Sequence, residues 1–315
     1  MTAIPVLDGG LSDGDLAAAF LSAYAEVGFA YLENHGVEAR LLDGIFEASR
    51  AFHALPLAEK TAIALDGNHR GYIALGTSTD VNSDYEEISR PNQSESFMMM
   101  REDAAPTSDY LSGPNQWPAL AGFRETCEAY HAAMSALGLR MMRVAARALG
   151  APPGAFDDSF SPPTTWLRLL RYPPAPKQRP EDLYGSAPHN DFGCLTLLAQ
   201  DEVGGLQVMS TAGEWLDVPP RAGAFIVNVG DMLHRWSNGV LRSTPHRVIN
   251  ASGRERYSCP FFFDPHVSAE IAPLAATVTA ARPAAFAPLV FGDFLRAELE
   301  AGYEAHGGAE PTGRE

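Results

Sequence analysis

His189 and Asp191 stand two residues apart, and His246 supplies a second imidazole much later in the chain. Two neutral imidazoles and one carboxylate suit a divalent first-row metal and leave part of its coordination sphere open. An open Fe(II) site of this kind is built for oxygen chemistry, with room for O2 and an organic acid beside the protein ligands. Along an extended strand, residues i and i+2 share one face. His189 and Asp191 can therefore converge on one ion while Asn190 points away. His246 must then arrive on a distant strand folded back beside the first. Each residue alone reads more simply as a satisfied polar group at a strand end; the three together favour a metal. His234 is the nearer rival to His246. Cys194, three residues past Asp191, falls on the opposite face of a regular strand and reads as a small core residue.

Arg256 and Ser258 form a second i, i+2 pair. A guanidinium fork beside a hydroxyl suits a carboxylate, through charge-assisted bonds. The plainer alternative is a surface arginine next to a strand serine. Tyr172, in Leu170-Arg171-Tyr172-Pro173, is either a contact for the same ligand or a half-buried strand tyrosine. Asn228, Gly230 and Asp231 read mainly as a strand end and a tight turn, with Asn228 able to line a pocket.

The elements that must position these residues are β-rich. From Trp166 to Asp264, short strand-like runs alternate with turns: 166–172, 194–199, 205–209, 215–218, 224–229, 246–251 and 257–263. Many short strands with close turn signals predict a sandwich or jelly roll. Phe261 and Phe263 share a face there and either wall a pocket or fill the roll. Earlier, Ile4–Leu7 is a short extended piece, Ser12 caps a helix to about Val27, and Phe29–Leu32 is a strand. A second helix runs over about 38–53. Residues 65–115, rich in Gly, Ser, Asn, Asp and Pro, predict loops around one or two strands, including 96–100. Leu120, Phe123, Cys127, Tyr130, Met134, Leu137 and Met141 step by three and four, which predicts a long helix over about 118–149. A last helix spans roughly 291–304, followed by a frayed tail, HGGAEPTGRE.

The formal charge is −16, an acidity that opposes binding to nucleic acid or to an anionic membrane surface. With 46% hydrophobic and 20% charged residues, the chain is globular rather than disordered. No run approaches the roughly 20 apolar residues that span a bilayer. MTAIPVLDGG has neither a basic nor an apolar leader region, so no secretory signal is expected. Cys127, Cys194 and Cys259 are few, odd and scattered, which fits a reducing, cytoplasmic setting without a disulfide framework. Oligomeric state is not legible.

The blocks IPVLD, GFAYLENHGV, LRLLRYPPAP, HNDFGCLTLL, GGLQV, EWLDVPPRAGAFIVNVGDMLHRWSNG, STPHRV and RYSCPFFFDP, in this order, span nearly the whole chain. Together they resemble the isopenicillin N synthase-like family of 2-oxoglutarate/Fe(II)-dependent dioxygenases. The resemblance implies a mainly β fold with α additions: a double-stranded β-helix (jelly roll, cupin-like) flanked by helices, one of them long. It implies an N-terminal α/β region over 1–115, a long helical segment over 116–160, the catalytic roll over 161–275 and a C-terminal helix and tail over 276–315. It implies His189, Asp191 and His246 as Fe(II) ligands, with Arg256 and Ser258 holding the distal carboxylate of 2-oxoglutarate and Tyr172 reaching the same co-substrate. Leu170 stands where plant members often carry Asn. The activity implied is oxidation, by default hydroxylation, of a small molecule by O2, with release of succinate and CO2 and with ascorbate as a stimulant. Two other readings remain at this point: an oxidase of the same fold that uses no 2-oxoglutarate, and a non-catalytic roll that binds a carboxylate or metal.

Overall fold

The computed structural model describes residues 4–78, 85, 90–103, 105, 107 and 109–304. In chain order the elements are β1 (Val6–Asp8), α1 (Asp13–Glu26), β2 (Phe29–Glu33), α2 (Ala39–His53), α3 (Leu57–Thr61), β3 (Gly71–Ile73), β4 (Glu95–Met100) and α4 (Phe123–Ala148). The roll follows: β5 (Thr164–Tyr172), β6 (Ser186–His189), β7 (Leu195–Gln200), β8 (Leu206–Met209), β9 (Trp215–Asp217), β10 (Phe225–Val229), α5 (Asp231–Trp236), β11 (His246–Val248) and β12 (Arg256–Asp264). The chain closes with β13 (Glu270–Ile271), β14 (Leu289–Val290) and α6 (Phe291–Glu304).

Two sheets make the jelly roll. The larger has the order β1-β2-β10-β7-β12-β5-β4-β3, and the smaller β6-β11-β8-β9. Period-two alternation gives the large sheet two different faces. Cys259, Phe261 and Phe263 of β12, Leu167 and Leu169 of β5, and Leu195 and Leu197 of β7 point outward into the main core, each at most 1% exposed. Helices α1, α2 and α4 cover that face. Burying a phenylalanine there contributes about 1.5–3 kcal/mol. Phe261 and Phe263 therefore pack under the helices and do not wall a pocket. The opposite face looks into the roll, where Leu170, Tyr172 and Ile226 meet Leu206, Val208 and Val248 of the small sheet.

Helix α4 uses the predicted stripe: Cys127, Tyr130, Met134, Leu137 and Met141 are buried. It begins at Phe123 rather than near Pro118, because Gly122 adopts a left-handed φ of 75° that breaks the helical path. Gly138 lets it approach the sheet, since a Cβ there would stand 2.6 Å from the Phe263 ring. Ser12 caps α1 as expected, its Oγ accepting from the Asp15 N–H at 3.3 Å. The N-V-G-D stretch is not only a turn, because α5 starts at Asp231. The strand expected over 246–251 ends at Val248. The tail 306–315, and positions 79–84, 86–89, 104, 106 and 108 of the loop-rich stretch, lie outside the described residues. Among the described residues no helix is long and apolar enough to cross a membrane. The three cysteines are buried and free.

Candidate metal centre and carboxylate site

Strand register brings the two histidines together. His246 on β11 pairs directly with His189 at the end of β6, and their ring centroids lie 4.3 Å apart. The regular strand stops at His189, so Asp191 reaches them from the turn beyond rather than from a shared strand face. That turn is latched from several sides. The Asp231 N–H donates to the Asp191 carbonyl at 2.8 Å, the Met232 N–H to that of Gly193 at 2.9 Å and the Gly230 N–H to that of Cys194 at 2.9 Å. Asp264 Oδ1 accepts the Cys194 N–H at 2.7 Å. At Gly230 a Cβ would lie 2.4 Å from the Gly193 carbonyl oxygen, so only glycine fits the latch.

The result is a compact donor set. Asp191 Oδ1 lies 3.7 Å from His189 Nε2 and 3.7 Å from His246 Nε2. Potential ligand atoms of all three residues fall within 4.8 Å of one another. His189 Nδ1 meets the Ala187 carbonyl at 2.7 Å, and His246 Nδ1 meets that of Thr244 at 3.4 Å. A carbonyl oxygen can only accept, so each Nδ1 carries the proton and each Nε2 offers its lone pair inward. Asp191 Oδ2 is occupied separately, by Thr196 Oγ1 and by Asn228 Nδ2 at 2.7 Å. Burial pushes the Asp191 carboxyl upward, but His246, His189 and these two donors hold it below its ordinary value. The residues thus fit a divalent metal: two imidazole nitrogens and one ionised oxygen converge, and the other atoms of the three side chains are engaged elsewhere.

The carboxylate pair also assembles. Arg256 is fully buried and pairs across the sheet with Tyr172; Ser258 pairs with Leu170. Arg256 Nε donates to the Gly204 carbonyl at 2.6 Å, while Nη1 lies 3.3 Å from Ser258 Oγ and Nη2 3.4 Å from Gln200 Oε1. The guanidinium carbon sits 4.6 Å from the centre of the Tyr172 ring, and Ser258 Oγ is 3.4 Å from the Tyr172 hydroxyl. Tyr172 therefore belongs with Arg256 and Ser258. Arg254 instead points outward to Glu202.

His234 does not join the metal set, since its Nδ1 donates to the Leu241 carbonyl at 2.6 Å. Cys194 is core, as expected. Sequence reasoning missed Thr196 and Gln200, read Gly230 only as part of a tight turn, and gave Asn228 no metal-side role. For Thr196 a signal existed: it is a polar residue inside the apolar run Leu195–Leu198.

A jelly roll in which two histidines and one aspartate converge, with a fully buried arginine on β12 of the large sheet, defines a non-haem iron oxygenase site. The comparisons agree. The family model of the 2OG-Fe(II) oxygenase superfamily matches residues 163–265, and that of the non-haem dioxygenase in morphine synthesis N-terminal region matches residues 4–120. The 2-oxoglutarate-Fe(II) type oxidoreductase hxnY of Emericella nidulans is 39% identical over 282 residues, covering 83% of this chain and 79% of that one. The 2-oxoglutarate-dependent dioxygenase caaD of Aspergillus niger is 34% identical over 259 residues, covering 80% of this chain and 79% of that one. A full-length Neurospora crassa enzyme, solved in complex with alpha-KG and thymine, superposes with a TM-score of 0.86 at 29% identity, over 96% of this chain and 98% of that one.

The chain belongs to the isopenicillin N synthase-like family of 2-oxoglutarate/Fe(II)-dependent oxygenases. It is an oxidoreductase that uses Fe(II), 2-oxoglutarate and O2.

Proposed function

We propose that His189, Asp191 and His246 hold the Fe(II), that Arg256, Ser258 and Tyr172 receive the distal carboxylate of 2-oxoglutarate, and that the reaction hydroxylates a small organic molecule. Division of labour on Asp191 carries this reading: Oδ1 faces both imidazoles, while Oδ2 is taken by Thr196 and Asn228. Bound Fe(II) supplies O2 activation, coupled to conversion of 2-oxoglutarate into succinate and CO2 and to oxidation of the substrate.

The residues of this chain supply position. Backbone carbonyls take the Nδ1 protons of His189 and His246, so in the neutral rings Nε2 is the atom left to bind a cation. Arg256 sits in a dry wall, where a carboxylate gains more from a guanidinium than it would in water. Its Nε bond to Gly204 fixes the plane of the fork. Free buried cysteines suit a reducing cytoplasm.

The test is succinate formation by the purified protein with Fe(II), ascorbate, O2 and 2-oxoglutarate, beside Asp191→Ala and a direct measurement of bound iron. Loss of both succinate and iron in the variant supports the assignment. Full iron binding by Asp191→Ala would remove this residue from the ligand set.

A further inference from the structure

The two arms of the metal site are joined by a side chain that stands between two of its ligands. His189 ends β6 and His246 begins β11, so the strand ladder that pairs them stops at the site itself. Pro245, next in line, has no N–H with which to continue it. Past that point side chains take over: Asn190 Nδ2 donates to Ser243 Oγ at 2.7 Å. Asn190 is the chain neighbour of both His189 and Asp191, and Ser243 lies three residues before His246. One bond therefore ties the turn that carries two ligands to the segment that delivers the third.

The partners of that bond set its direction. The Tyr85 hydroxyl donates to Asn190 Oδ1 at 2.6 Å, so the amide oxygen is taken on one side and the NH2 group meets Ser243 on the other. An amide nitrogen only donates, so Ser243 Oγ accepts and keeps its own proton to give. The Asp231 carboxylate interacts with both Ser243 and Asn190 and is the acceptor for that proton. Asp231 also grips the ligand turn through its backbone, its N–H donating to the Asp191 carbonyl at 2.8 Å. Because Asn190 and Asp191 are adjacent in the chain, these contacts close a ring. It joins three segments: the ligand turn, the start of α5 and the approach to β11. The residue that the H-x-D spacing skips thus binds the other arm of the site.

We propose that Asn190 is a positioning residue for the iron: through Ser243 it fixes the separation between the His189–Asp191 turn and His246. The inference rests on the assignment of those three residues as the Fe(II) ligands. Asp191 Oδ1 and His246 Nε2, 3.7 Å apart, come from the two segments that the Asn190–Ser243 bond joins. That bond involves no ligand side chain, so its loss alters the spacing of the donors without removing one. Partners outside the ligand set govern metal affinity by about 10–100-fold.

The experiment is a double-mutant cycle on the whole chain: Asn190→Ala, Ser243→Ala and the double variant, beside Asp191→Ala. Fe(II) affinity is measured anaerobically on the metal-free proteins, after urea unfolding has established that each is folded. Co(II) absorbance in the visible range reports the geometry of the ligand set. Each single variant should weaken Fe(II) binding by about 10-fold and shift the Co(II) bands. The double variant should lose no more than the weaker-binding single variant, because both singles break the same bond. Ser243→Ala removes one oxygen only, so its affinity and spectrum decide the matter if Asn190→Ala does not fold. Wild-type affinity in Ser243→Ala, losses that multiply in the double variant, or an unchanged Co(II) spectrum would each overturn the proposal. If Asp191→Ala loses iron in those cases, the ligand assignment stands and only the role of Asn190 falls. Full iron binding by Asp191→Ala would instead remove the ligand assignment and this proposal with it.

Discussion

Asn228 Nδ2 lies 2.7 Å from Asp191 Oδ2 and donates to it, which turns the carboxylate so that its other oxygen faces both histidines. Asn228 sits on β10 and Asp191 in the turn before β7, so this one bond ties the candidate metal centre to the large sheet.

Asn228→Ala should therefore weaken iron binding without removing a ligand. Loss of an outer partner of this kind costs about 10–100-fold in metal affinity. Titration of the metal-free variant with Fe(II) under anaerobic conditions checks it, and wild-type affinity would show that Thr196 alone orients Asp191.

Arg256→Gln should raise the KM for 2-oxoglutarate by about 10–100-fold, because a hydrogen bond to a charged group is worth about 1.5–3 kcal/mol. Tyr172→Phe removes only a hydroxyl, which lies 3.4 Å from Ser258 Oγ. Its effect should be about 2–10-fold. In both, kcat at saturating co-substrate should change less than KM. An unchanged KM in Arg256→Gln would place the carboxylate elsewhere.

Gly138→Ala tests the packing of α4 on the roll. Alanine favours the helix by about 1 kcal/mol, but its Cβ would stand 2.6 Å from the Phe263 ring. Overpacking should win, for a net loss of about 1–2 kcal/mol in denaturant unfolding. Iron affinity of the folded fraction should be unaffected, since α4 lies on the face of the large sheet away from the roll interior. A stabilised variant would mean that α4 shifts outward easily.

Burial pushes the Asp264 carboxyl up to about 7, against the Cys194 N–H that favours its charged form. The folded chain then keeps a proton that the unfolded chain gives up near 3.8. Asp264 should stabilise the metal-free protein fully below about pH 4, and that contribution should fade as pH rises through about 7. Asp264→Asn keeps a side-chain acceptor for the Cys194 N–H without the titration. Urea unfolding at several pH values should show a flatter profile for the variant across that window. Parallel profiles would rule out Asp264 as the source.

Much of this protein is legible in its sequence, for reasons that are local. Helix α4 shows in a three-and-four step of large apolar residues, α1 in the Ser12 cap, and most roll strands in alternation bounded by glycine turns. Short elements escaped: α3, β3 and α5 span too few residues for a period to register. The types and spacing of His189, Asp191, His246, Arg256 and Ser258 were enough to suggest which residues carry chemistry.

Tertiary structure alone decided how they work. Asp191 meets the histidines from a turn held by Gly230, Met232 and Asp264, contacts far apart in sequence that no spacing rule anticipates. Which oxygen of Asp191 faces inward depends on Thr196 and Asn228, and thus on the pairing of β7 with β10. The roles of Phe261 and Phe263 depend on which face of the sheet α4 covers. Alternation divides a strand's residues between two faces, but only packing determines which face meets the helices and which looks into the roll.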